Sequence, residues 1–349
     1  MKVLVLHSGG NAIDYHRLVV PFANINENFD DIEIYSKNHL EADEHQETVR
    51  AADLINWGID IVVFSRNISI RFDPLPVFKQ IKAAGCKIVI DIDDHWELSP
   101  SHYLAKYYKE VNLTKCIIDQ IIHSDAVITT HQLLKDEILK IAPKQKVYIA
   151  TNGIDPNQEQ FQIANLTHDN ESIYWQGGIS HYNDLKLLRG ALNGLIDYKL
   201  TIGGYNQTDE NSIFMWNRIM SLFNKDNAEY DLARNVDEYA RRYWNKGICV
   251  TPLLNNKFNR MKSELKIIEA GWFAKPVIAS YVHPYNKMPH VTFCENKSDW
   301  AGAIKYHLEN PNFQIDMGQQ LAEYVRKKYV INKVNENRLK CLIDMYGKR

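Results

Sequence analysis

The sequence predicts an α/β protein made of two Rossmann-like domains that face each other across a cleft. Short apolar runs alternate with longer segments of helical spacing, and strands separated by helices form parallel βαβ units. The alternation stops at the polar stretch Asn157–Glu171 and then starts again. A chain of 349 residues is long enough for two such domains, each with its own core.

The first half is predicted to close by residue 156. Its apolar runs of strand length are Val3–Leu6, Ile59–Phe64, Lys87–Ile92, Ala126–Thr129 and Lys146–Ile149. Its segments of helical spacing are Tyr15–Asn24, Glu44–Asn56, Leu75–Ala84, Tyr103–Ile122 and Gln132–Ile141. These elements predict an N-terminal domain over residues 1–156, followed by a linker over residues 157–171.

The second half repeats the pattern over residues 172–330. Its predicted strands are Ile173–Trp175, Lys199–Ile202, Gly247–Thr251, Pro276–Ala279 and Val291–Phe293. The chain is helical from Gln319 onward, with a break near Val330–Asn332. Ligands of doubly wound sheets lie at the carboxyl ends of the strands, so we expect the substrate in the cleft between the two halves.

Composition limits the functional classes. The formal net charge of -2 gives no global basic field for nucleic acid or anionic membrane. No apolar run approaches the ~20 residues that a membrane helix needs, so no transmembrane segment is expected. The five cysteines are scattered without a CxxC pair, which favours reduced buried thiols in a cytoplasmic protein.

The segment Asn259–Ser280 carries the strongest functional pattern, a loop followed by an amphipathic helix and a buried strand. Ser263 can cap the helix, and free backbone N–H groups at its start, beside nearby lysines, suit a phosphate. Glu269 lies past the first turn, where a carboxylate could accept the hydroxyls of a ribose. Phosphate and ribose together indicate a nucleotide ligand. The alternative is that Glu269 solvates a surface helix.

Three predicted strands end in glycines. Gly9 and Gly10 follow the first strand, Gly177 and Gly178 open the second half, and Gly203-Gly204 ends a third strand. Glycines at strand ends let the backbone approach a phosphate or a sugar, although tight turns also favour glycine. Without GxGxxG spacing, a dinucleotide site is not expected.

The densest polar cluster, Asp91–Trp96, directly follows a predicted strand. Asp93, Asp94 and His95 could supply a base, an acceptor for a sugar hydroxyl, or ligands for Mg²⁺ or Mn²⁺. No further residues complete a metal shell, so metal is the minor alternative, and Asp91 could simply fix the loop.

Two groups of cations are candidates for substrate contacts. Arg17 on the first helix could pair with an acceptor phosphate or with a neighbouring carboxylate. Arg241-Arg242 precede Tyr243-Trp244, a mixture found on nucleic-acid and sugar surfaces as well as at exposed basic edges. The sequence has no GxSxG elbow, Walker loop or HExxH motif, which argues against common hydrolase and NTPase classes.

Taken in order, these segments resemble the GT-B glycosyltransferases, and among them the large retaining family numbered four. The resemblance covers nearly the whole chain and is strongest in the second half. It is carried by Tyr243–Ile248, Thr251–Leu253, Asn255–Arg260 and the segment that ends at Ser280, together with Gly177-Gly178, His181, Asp184, Asn152–Asp155, Asp125–Thr129 and Asp91–Trp96.

The resemblance implies that the N-terminal domain binds the acceptor and the C-terminal domain binds a UDP- or GDP-sugar. Glu269 would hold the ribose, and the loops at Gly9, Gly10, Gly177 and Gly178 would close on the donor. Lys262 and the segment Ser263–Leu265, which includes Glu264, would face the diphosphate or the sugar. The C-terminal helix, residues 331–349, would cross back to the first domain.

One departure concerns the donor sugar. Many members carry a second glutamate eight positions before the ribose-binding one, and Met261 stands there in this chain. Lys262 or Glu264 could replace it, and retention of the anomeric configuration therefore stays open. The family's usual histidine after a strand of the first domain has no match, and His95 occupies a comparable strand end.

The resulting hypothesis is a metal-independent hexosyl- or pentosyltransferase that needs no cofactor beyond its nucleotide-sugar co-substrate. Asp93, Asp94 or His95 would orient or deprotonate the acceptor hydroxyl, and Arg17 would contact the acceptor. The acceptor would be a cell-surface saccharide or a lipid-linked glycan, with peripheral membrane contact left open. Two alternatives are a phage-type enzyme acting on a modified DNA base, and a non-catalytic protein that binds sugar nucleotides.

Overall fold

The computed structural model describes residues 1–8, 10–38, 50–68, 73–164, 166–193, 195, 197–223 and 228–347. It divides into two compact units. Unit 1 comprises Met1–Asp155, Met261–Ser263 and Ile331–Arg349, and unit 2 comprises Pro156–Arg260 and Glu264–Val330. Residues 261–263, which precede the N-cap residue Glu264 of the helix in the strongest motif, therefore belong to unit 1.

Over the described residues, unit 1 contains a parallel six-stranded sheet in the order β2-β1-β3-β4-β5-β6. The strands are β1 (Lys2–His7), β2 (Glu33–Asn38), β3 (Ile61–Ser65), β4 (Lys87–Ile92), β5 (Ala126–Thr129) and β6 (Val147–Ile149). The two faces of this sheet are both buried, because alternate side chains of β1, β3 and β4 enter two different apolar clusters.

The helices of unit 1 connect these strands. They are α1 (Ala12–Asp14), a π-helical turn (Tyr15–Val19), α2 (Val20–Asn28), α3 (Ala51–Trp57), α4 (Leu75–Ala83), α5 (Ala105–Glu110), α6 (Leu113–His123) and α7 (Gln132–Ile141). The helix predicted over Tyr103–Ile122 is divided into α5 and α6 because Asn112 adopts a left-handed φ of 52°. Residues 44–49 of another predicted helix lie outside the described residues.

The described part of unit 2 contains a second parallel six-stranded sheet in the order β12-β11-β10-β7-β8-β9. The strands are β7 (Ser172–Gln176), β8 (Lys199–Tyr205), β9 (Ala228–Leu232), β10 (Ile248–Thr251), β11 (Val277–Ser280) and β12 (Thr292–Cys294). The helices are α8 (Tyr182–Leu185), α9 (Glu210–Met220), α10 (Leu265–Trp272), α11 (Asp299–Glu309) and α12 (Pro311–Lys328). The predicted class of two parallel α/β sheets with helices is confirmed.

The stretch predicted as a linker belongs to unit 2. Phe161 is 3% exposed and its ring stacks on Phe273 at 5.9 Å between centroids. Its carbonyl accepts a hydrogen bond of 2.8 Å from the Trp272 indole. One aromatic residue thus packs a largely polar segment onto unit 2, which the low apolar content of the segment did not indicate.

The chain returns to unit 1 at its C-terminus through α13 (Ile331–Val334) and α14 (Glu336–Tyr346). Cys341, Leu342 and Met345 are at most 1% exposed and belong to one of the two apolar clusters of the first sheet. The five cysteines are all among the described residues, and none forms a disulfide. In the described part of the chain, no helix is long and apolar enough to cross a membrane.

Candidate functional site

The order of strands in unit 2 marks where a ligand is expected. The chain starts at β7, continues to β8 on one side, and later places β10 on the other side. Doubly wound sheets bind ligands at such a reversal, beside the carboxyl ends of the strands. In unit 2 these ends are Gln176-Gly177 and Thr251.

The first turn of α10 lies at this reversal. The ammonium group of Lys266 donates a hydrogen bond to the carbonyl of Gln176 and lies 5.0 Å from the centre of the Trp175 ring. A Cβ atom at Gly177 would be 2.5 Å from Cζ2 of Trp175 and 2.6 Å from Nζ of Lys266, whereas one at Gly178 would meet nothing within 4 Å. Gly177 is therefore required by packing, and Gly178 borders open space.

The third glycine pair supports this strand end from within the protein. Gly177 donates a backbone hydrogen bond of 3.2 Å to the carbonyl of Gly203. Gly204 has a φ of 97°, and a Cβ there would overlap the Gly177 carbonyl. Close packing thus explains Gly203 and Gly204 without a ligand.

Glu269 is buried and hydrogen-bonded to two tyrosines. It is 2% exposed. Oε1 accepts a hydrogen bond from the hydroxyl of Tyr239, and Oε2 accepts one of 3.4 Å from Tyr243. Burial raises the pKa of Glu269 to about 7, although the Tyr239 hydroxyl and the charge of Lys266 act in the opposite direction. The alternative of a carboxylate solvating a surface helix is excluded, and neither tyrosine was predicted as a partner.

The start of α10 differs from the predicted cap. Glu264, not Ser263, is the N-cap residue, and its side chain makes no capping hydrogen bond. Glu264 is 7% exposed, and burial raises the pKa of its carboxyl, partly opposed by a hydrogen bond with Tyr329. The helix begins at Leu265, whose backbone N–H belongs to the first turn and so has no acceptor within the helix.

His181 and Asp184 fix the loop before α10. Asp184 lies 2.8 Å from Nδ1 of His181 and accepts hydrogen bonds from the backbone of Leu254 and the side chain of Asn259, at 2.8 and 2.9 Å. His181 and Asp184 are both under 10% exposed. The hydrogen bonds to Asp184 hold the loop 254–259 against the short helix α8.

Unit 1 has its own reversal, between β1 and β3. Asp14 spans it: the backbone N–H and hydroxyl of Ser8 donate to its carboxylate at 2.6 and 2.5 Å, and the hydroxyl of Ser65 donates as well. An internal carboxylate thus takes the Ser8 N–H that a phosphate would need. Sequence reasoning did not single out Asp14. Gly10 is exposed, and a Cβ atom there would meet nothing within 4 Å, whereas Gly9 lies outside the described residues.

The polar cluster after β4 is ordered by Arg66, a residue that sequence reasoning missed. Its guanidinium lies 3.3 Å from Asp93, 3.4 Å from the Asp94 carbonyl and 3.3 Å from the His95 carbonyl. Arg66 has a left-handed φ of 50°, which costs energy in a residue other than glycine and occurs often at functional sites. Burial and then the neighbouring Asp94 raise the pKa of Asp93 to about 6, while Arg66 lowers it.

The three predicted catalytic residues differ in their access to a ligand. His95 is fully buried, stacks on Trp96, and accepts a 2.9 Å hydrogen bond from the backbone of Glu97 at Nδ1. The side chains of Asp93 and Asp94 are 12% and 17% exposed. His95 therefore has the environment of a structural residue, and the two carboxylates are the accessible members of the cluster.

The segment 261–263 is held by unit 1. Met261 is 4% exposed and packs in an apolar cluster of the first sheet, and its carbonyl lies 3.1 Å from Nε2 of His131. Lys262 pairs with Asp94 at 3.3 Å, and the Ser263 hydroxyl accepts a 2.7 Å hydrogen bond from Asn152. Met261 is thus an apolar anchor at the position where a carboxylate was expected.

Arg17 pairs with a neighbouring carboxylate, which is the second of the two partners that the sequence suggested. It is 1% exposed and forms a two-point ion pair with Asp91, at 2.8 and 2.9 Å. Its remaining amino group donates to the carbonyl of Ala150 and to Asn152, at 2.7 and 3.2 Å. A buried guanidinium with these partners holds the fold, and we do not propose it as an acceptor residue.

The basic pair of unit 2 is likewise engaged with carboxylates. Arg241 pairs with Glu159 at 2.7 Å, and Arg242 is 4% exposed and pairs with Asp231. Among the described residues, no group of three or more His, Cys, Asp or Glu side chains is arranged to hold a metal ion.

No protein-family model and no curated protein matches the sequence. Solved structures nevertheless match it along its whole length. Sucrose-phosphate synthase from Thermosynechococcus elongatus is 12% identical with a TM-score of 0.71, covering 100% of each chain. HepE from Anabaena, solved with UDP-glucose, is 13% identical with a TM-score of 0.65, covering 99% of this chain and 100% of that one.

A third similar structure is an α-glucosyltransferase in complex with UDP-glucose and DNA containing an abasic site. It is 10% identical with a TM-score of 0.60, and the match covers 99% of each chain. The TM-scores show that these structures share their fold with this chain, and the low sequence identities show nothing beyond the fold. The chain therefore has the two-domain GT-B fold of these glycosyltransferases.

Proposed function

We propose that the protein is a glycosyltransferase that moves a sugar from a nucleotide-diphosphate donor to an acceptor hydroxyl. The observation that carries this proposal is the reversal point of unit 2, where Lys266 in the first turn of α10 lies against Gly177 and the end of β7. A helix start and a lysine favour an anionic group. One turn further, Glu269 offers a buried carboxylate. Similar structures were solved with UDP-glucose, which supports the same donor class.

In this proposal Glu269 accepts the ribose hydroxyls, and the backbone at Glu264 and Leu265 faces the diphosphate or the sugar. Gly177 and Gly178, which follow β7, belong to the same donor site in this proposal. Gly10, Lys262 and Ser263 belong to unit 1, and like Gly9 they stay predicted donor contacts. The donor is a UDP- or GDP-sugar. The proposal includes transfer with retention, which the family resemblance implies. It also includes a reaction without a metal ion and a location in the cytoplasm, which rest on the residues of the polar cluster and on cysteines that are scattered without a CxxC pair.

Unit 1 supplies the acceptor side. Asp94 is the most exposed carboxylate of its cluster, with 17% of its side chain accessible, and Asp93 follows with 12%. We assign them to orienting or deprotonating the acceptor hydroxyl, since a base with a pKa near neutrality is suited to that role and the pKa of Asp93 is about 6. The carboxylates favour a hydroxyl-rich acceptor such as a saccharide or a lipid-linked glycan.

DNA is the acceptor class with less support from the structure. The α-glucosyltransferase with DNA shares the fold, but Arg241 and Arg242, the basic edge expected to meet phosphates, are paired with Glu159 and Asp231. Binding of duplex DNA with a steep dependence on salt would favour the DNA acceptor instead.

The donor assignment is tested with a cycle that changes the protein and the ligand in parallel. Glu269→Ala and the wild type are titrated with the nucleoside diphosphates of uridine and guanosine and with their 2′,3′-dideoxy forms. We expect Glu269→Ala to weaken binding of the ribose form by roughly tenfold or more, because hydrogen bonds to charged groups contribute ~1.5–3 kcal/mol. The dideoxy form should bind both proteins equally. An equal loss for both ligands would remove Glu269 from the ribose contact.

Turnover separates an enzyme from a non-catalytic binding protein. Release of nucleoside diphosphate from the donor is measured for the wild type, Asp94→Asn and the control Glu97→Gln, which changes an exposed neighbour. We expect Asp94→Asn to lose turnover while it retains nucleotide binding, and the control to retain both. Full activity in Asp94→Asn would show that the carboxylate has a structural role, and absence of any turnover with bound donor would favour the binding protein.

A further inference from the structure

The hydroxyl groups around Glu269 come from one short turn. Tyr239–Tyr243 forms a 3₁₀ helix that places a tyrosine at each of its ends, and the two hydroxyls donate to different oxygens of the Glu269 carboxylate. Tyr239 makes the closer of the two contacts, since the Tyr243 hydroxyl lies 3.4 Å from Oε2. The carboxylate is thus oriented mainly through Oε1.

This turn is itself fixed by buried neighbours. Gln160 is 0% exposed, accepts a 3.1 Å hydrogen bond from the backbone of Ala240 and donates one of 3.0 Å to the carbonyl of Val236. The ring of Tyr243 packs edge-on against Tyr174 at 5.2 Å and stacks on Phe273 at 5.8 Å. Tyr239 therefore presents its hydroxyl from a rigid support, which limits the positions that the Glu269 carboxylate can adopt.

Orientation matters for a carboxylate that is to accept two neighbouring hydroxyls of a ribose. A carboxylate accepts several hydrogen bonds at once, so a tyrosine donor and ligand hydroxyls can share it. A binding group is effective only when its geometry is held before the ligand arrives. Glu269 is too deeply buried to be ordered by solvent, and the contact with Tyr239 supplies that order.

We propose that Tyr239 is a positioning residue of the nucleotide site, whose hydroxyl holds Oε1 of Glu269 so that the carboxylate is aligned for the ribose hydroxyls. This inference rests on the proposed function, because it concerns the same carboxylate. Tyr239 lies in a different segment of the chain from α10 and is not part of the motifs that carry the family resemblance. The contrary possibility is that the Tyr239 hydroxyl occupies the place of a ligand hydroxyl and competes with it.

The test is a double-mutant cycle with Tyr239→Phe, which removes the hydroxyl and keeps the ring, and Glu269→Gln. Binding of uridine and guanosine diphosphates, and of their 2′,3′-dideoxy forms, is measured by calorimetry between pH 5.5 and 8.5 (roughly the range around neutrality in which the carboxyl titrates). Circular dichroism of each variant confirms that it is folded. Tyr243→Phe, which removes the more distant hydroxyl, is the matched comparison.

We expect Tyr239→Phe to raise Kd for the ribose ligand about tenfold in the wild-type background and by less than about twofold in the Glu269→Gln background. It should also move the midpoint of the pH dependence of Kd upward, because the hydroxyl lowers the pKa of Glu269. The dideoxy ligand should show neither effect, and Tyr243→Phe should show a smaller one.

An equal loss in both backgrounds, an unchanged Kd, or tighter binding in Tyr239→Phe would each overturn the positioning role, and tighter binding would identify the hydroxyl as a competitor. These outcomes leave nucleotide binding by the wild type intact. If the wild type binds neither nucleotide at any pH, the proposed function fails and the positioning role fails with it.

Discussion

The ion pair between Arg17 and Asp91 joins the π-helical turn Tyr15–Val19 to β4. Both side chains are at most 1% exposed, so neither charge is stabilised by water. A cation on the first helix could be predicted from the sequence, but its partner could not, because Asp91 is 74 residues away and is brought next to Arg17 only by the parallel pairing of β1, β3 and β4.

Removing one partner of this pair should destabilise the protein. We expect Asp91→Asn or Arg17→Met to cost about 3–5 kcal/mol, because each leaves a buried charge without its partner. The control Asp94→Asn breaks a partly exposed pair and should cost less than about 1 kcal/mol. Chemical denaturation measures all three. Unchanged stability of Arg17→Met, together with weaker binding of the acceptor, would return Arg17 to the acceptor site.

The ionisation of Glu269 makes the stability of the protein depend on pH. Burial raises its pKa from the ordinary 4.5 to about 7 in the folded protein. A raised pKa means that the folded state favours the protonated form, so the stabilising contribution is complete below pH 4.5 and is lost as the pH rises through 7. The full difference corresponds to about 3 kcal/mol.

Glu269→Gln removes this titration and should therefore gain stability relative to the wild type as the pH rises. We expect the difference in unfolding free energy between variant and wild type to grow by roughly 2–3 kcal/mol from about pH 4.5 to about pH 8.5. Urea denaturation at both pH values measures it, with Glu295→Gln on an exposed loop as the control. A difference that is the same at both pH values would show that Glu269 is not perturbed by burial.

Ten of the twelve strands in the described residues were predicted, including the edge strands β6 and β12, whereas the edge strands β2 and β9 were not. β1, β3, β4 and β5 are buried apolar runs, which periodicity detects. β2 and β9 lie at sheet edges, with sequences such as Ala228-Glu229-Tyr230-Asp231-Leu232 that mix charged and apolar residues. Exposure on one side removes the apolar pattern, so only pairing with the neighbouring strand identifies such segments.

The position of α10 depends on close packing against α12. A Cβ at Gly271 would lie 2.8 Å from Cγ of Leu321, and one at Gly318 would overlap the Ala274 carbonyl oxygen and lie 2.9 Å from the carbonyl carbon. Gly271 is therefore a point of contact between α10 and α12, and Gly318 is a point of contact between α12 and the backbone that directly follows α10. This role could not be predicted from the sequence, because neither glycine ends a helix or a strand.

Gly318→Ala should destabilise unit 2 because the added methyl group collides with the backbone of Ala274, which connects the end of α10 to β11. We expect a loss of about 1–3 kcal/mol. Gly302→Ala is the matched control: it also lies inside a helix, nothing lies within 4 Å of its Cβ position, and it should stabilise by about 0.5–1 kcal/mol. Thermal unfolding of both variants measures the contrast, and a stabilised Gly318→Ala would contradict this packing.

The two compact units do not coincide with two continuous halves of the sequence. The existence of two α/β sheets was predictable from the repeated alternation of strands and helices. The assignment of residues 261–263 to unit 1 was not, because it depends on Met261 entering an apolar cluster and on Lys262 meeting Asp94. A single methionine at a position expected to be polar carries no such signal in the sequence.

The stability of unit 1 should depend on α14, because the chain returns to this unit at its C-terminus. We expect Leu342→Ala to cost about 2–5 kcal/mol, since Leu342 is 0% exposed in the core of unit 1. Ile343→Ala, at the neighbouring position with 55% exposure, is the control and should change little. Hydrogen exchange should accelerate in β1 and β3, which share that core. Faster exchange confined to unit 2 would contradict the assignment of α14 to unit 1.

A thermal-shift screen of the wild type and Glu269→Ala against UDP-, GDP- and other nucleotide-diphosphate sugars tests whether the protein binds the proposed donor through Glu269. A ligand present at about 100 times its Kd stabilises the folded state by about 2.7 kcal/mol. We expect one nucleotide class to raise the Tm of the wild type by several degrees, and we expect Glu269→Ala to lose most of this rise. If no nucleotide sugar raises the Tm at millimolar concentration, the proposed function is contradicted.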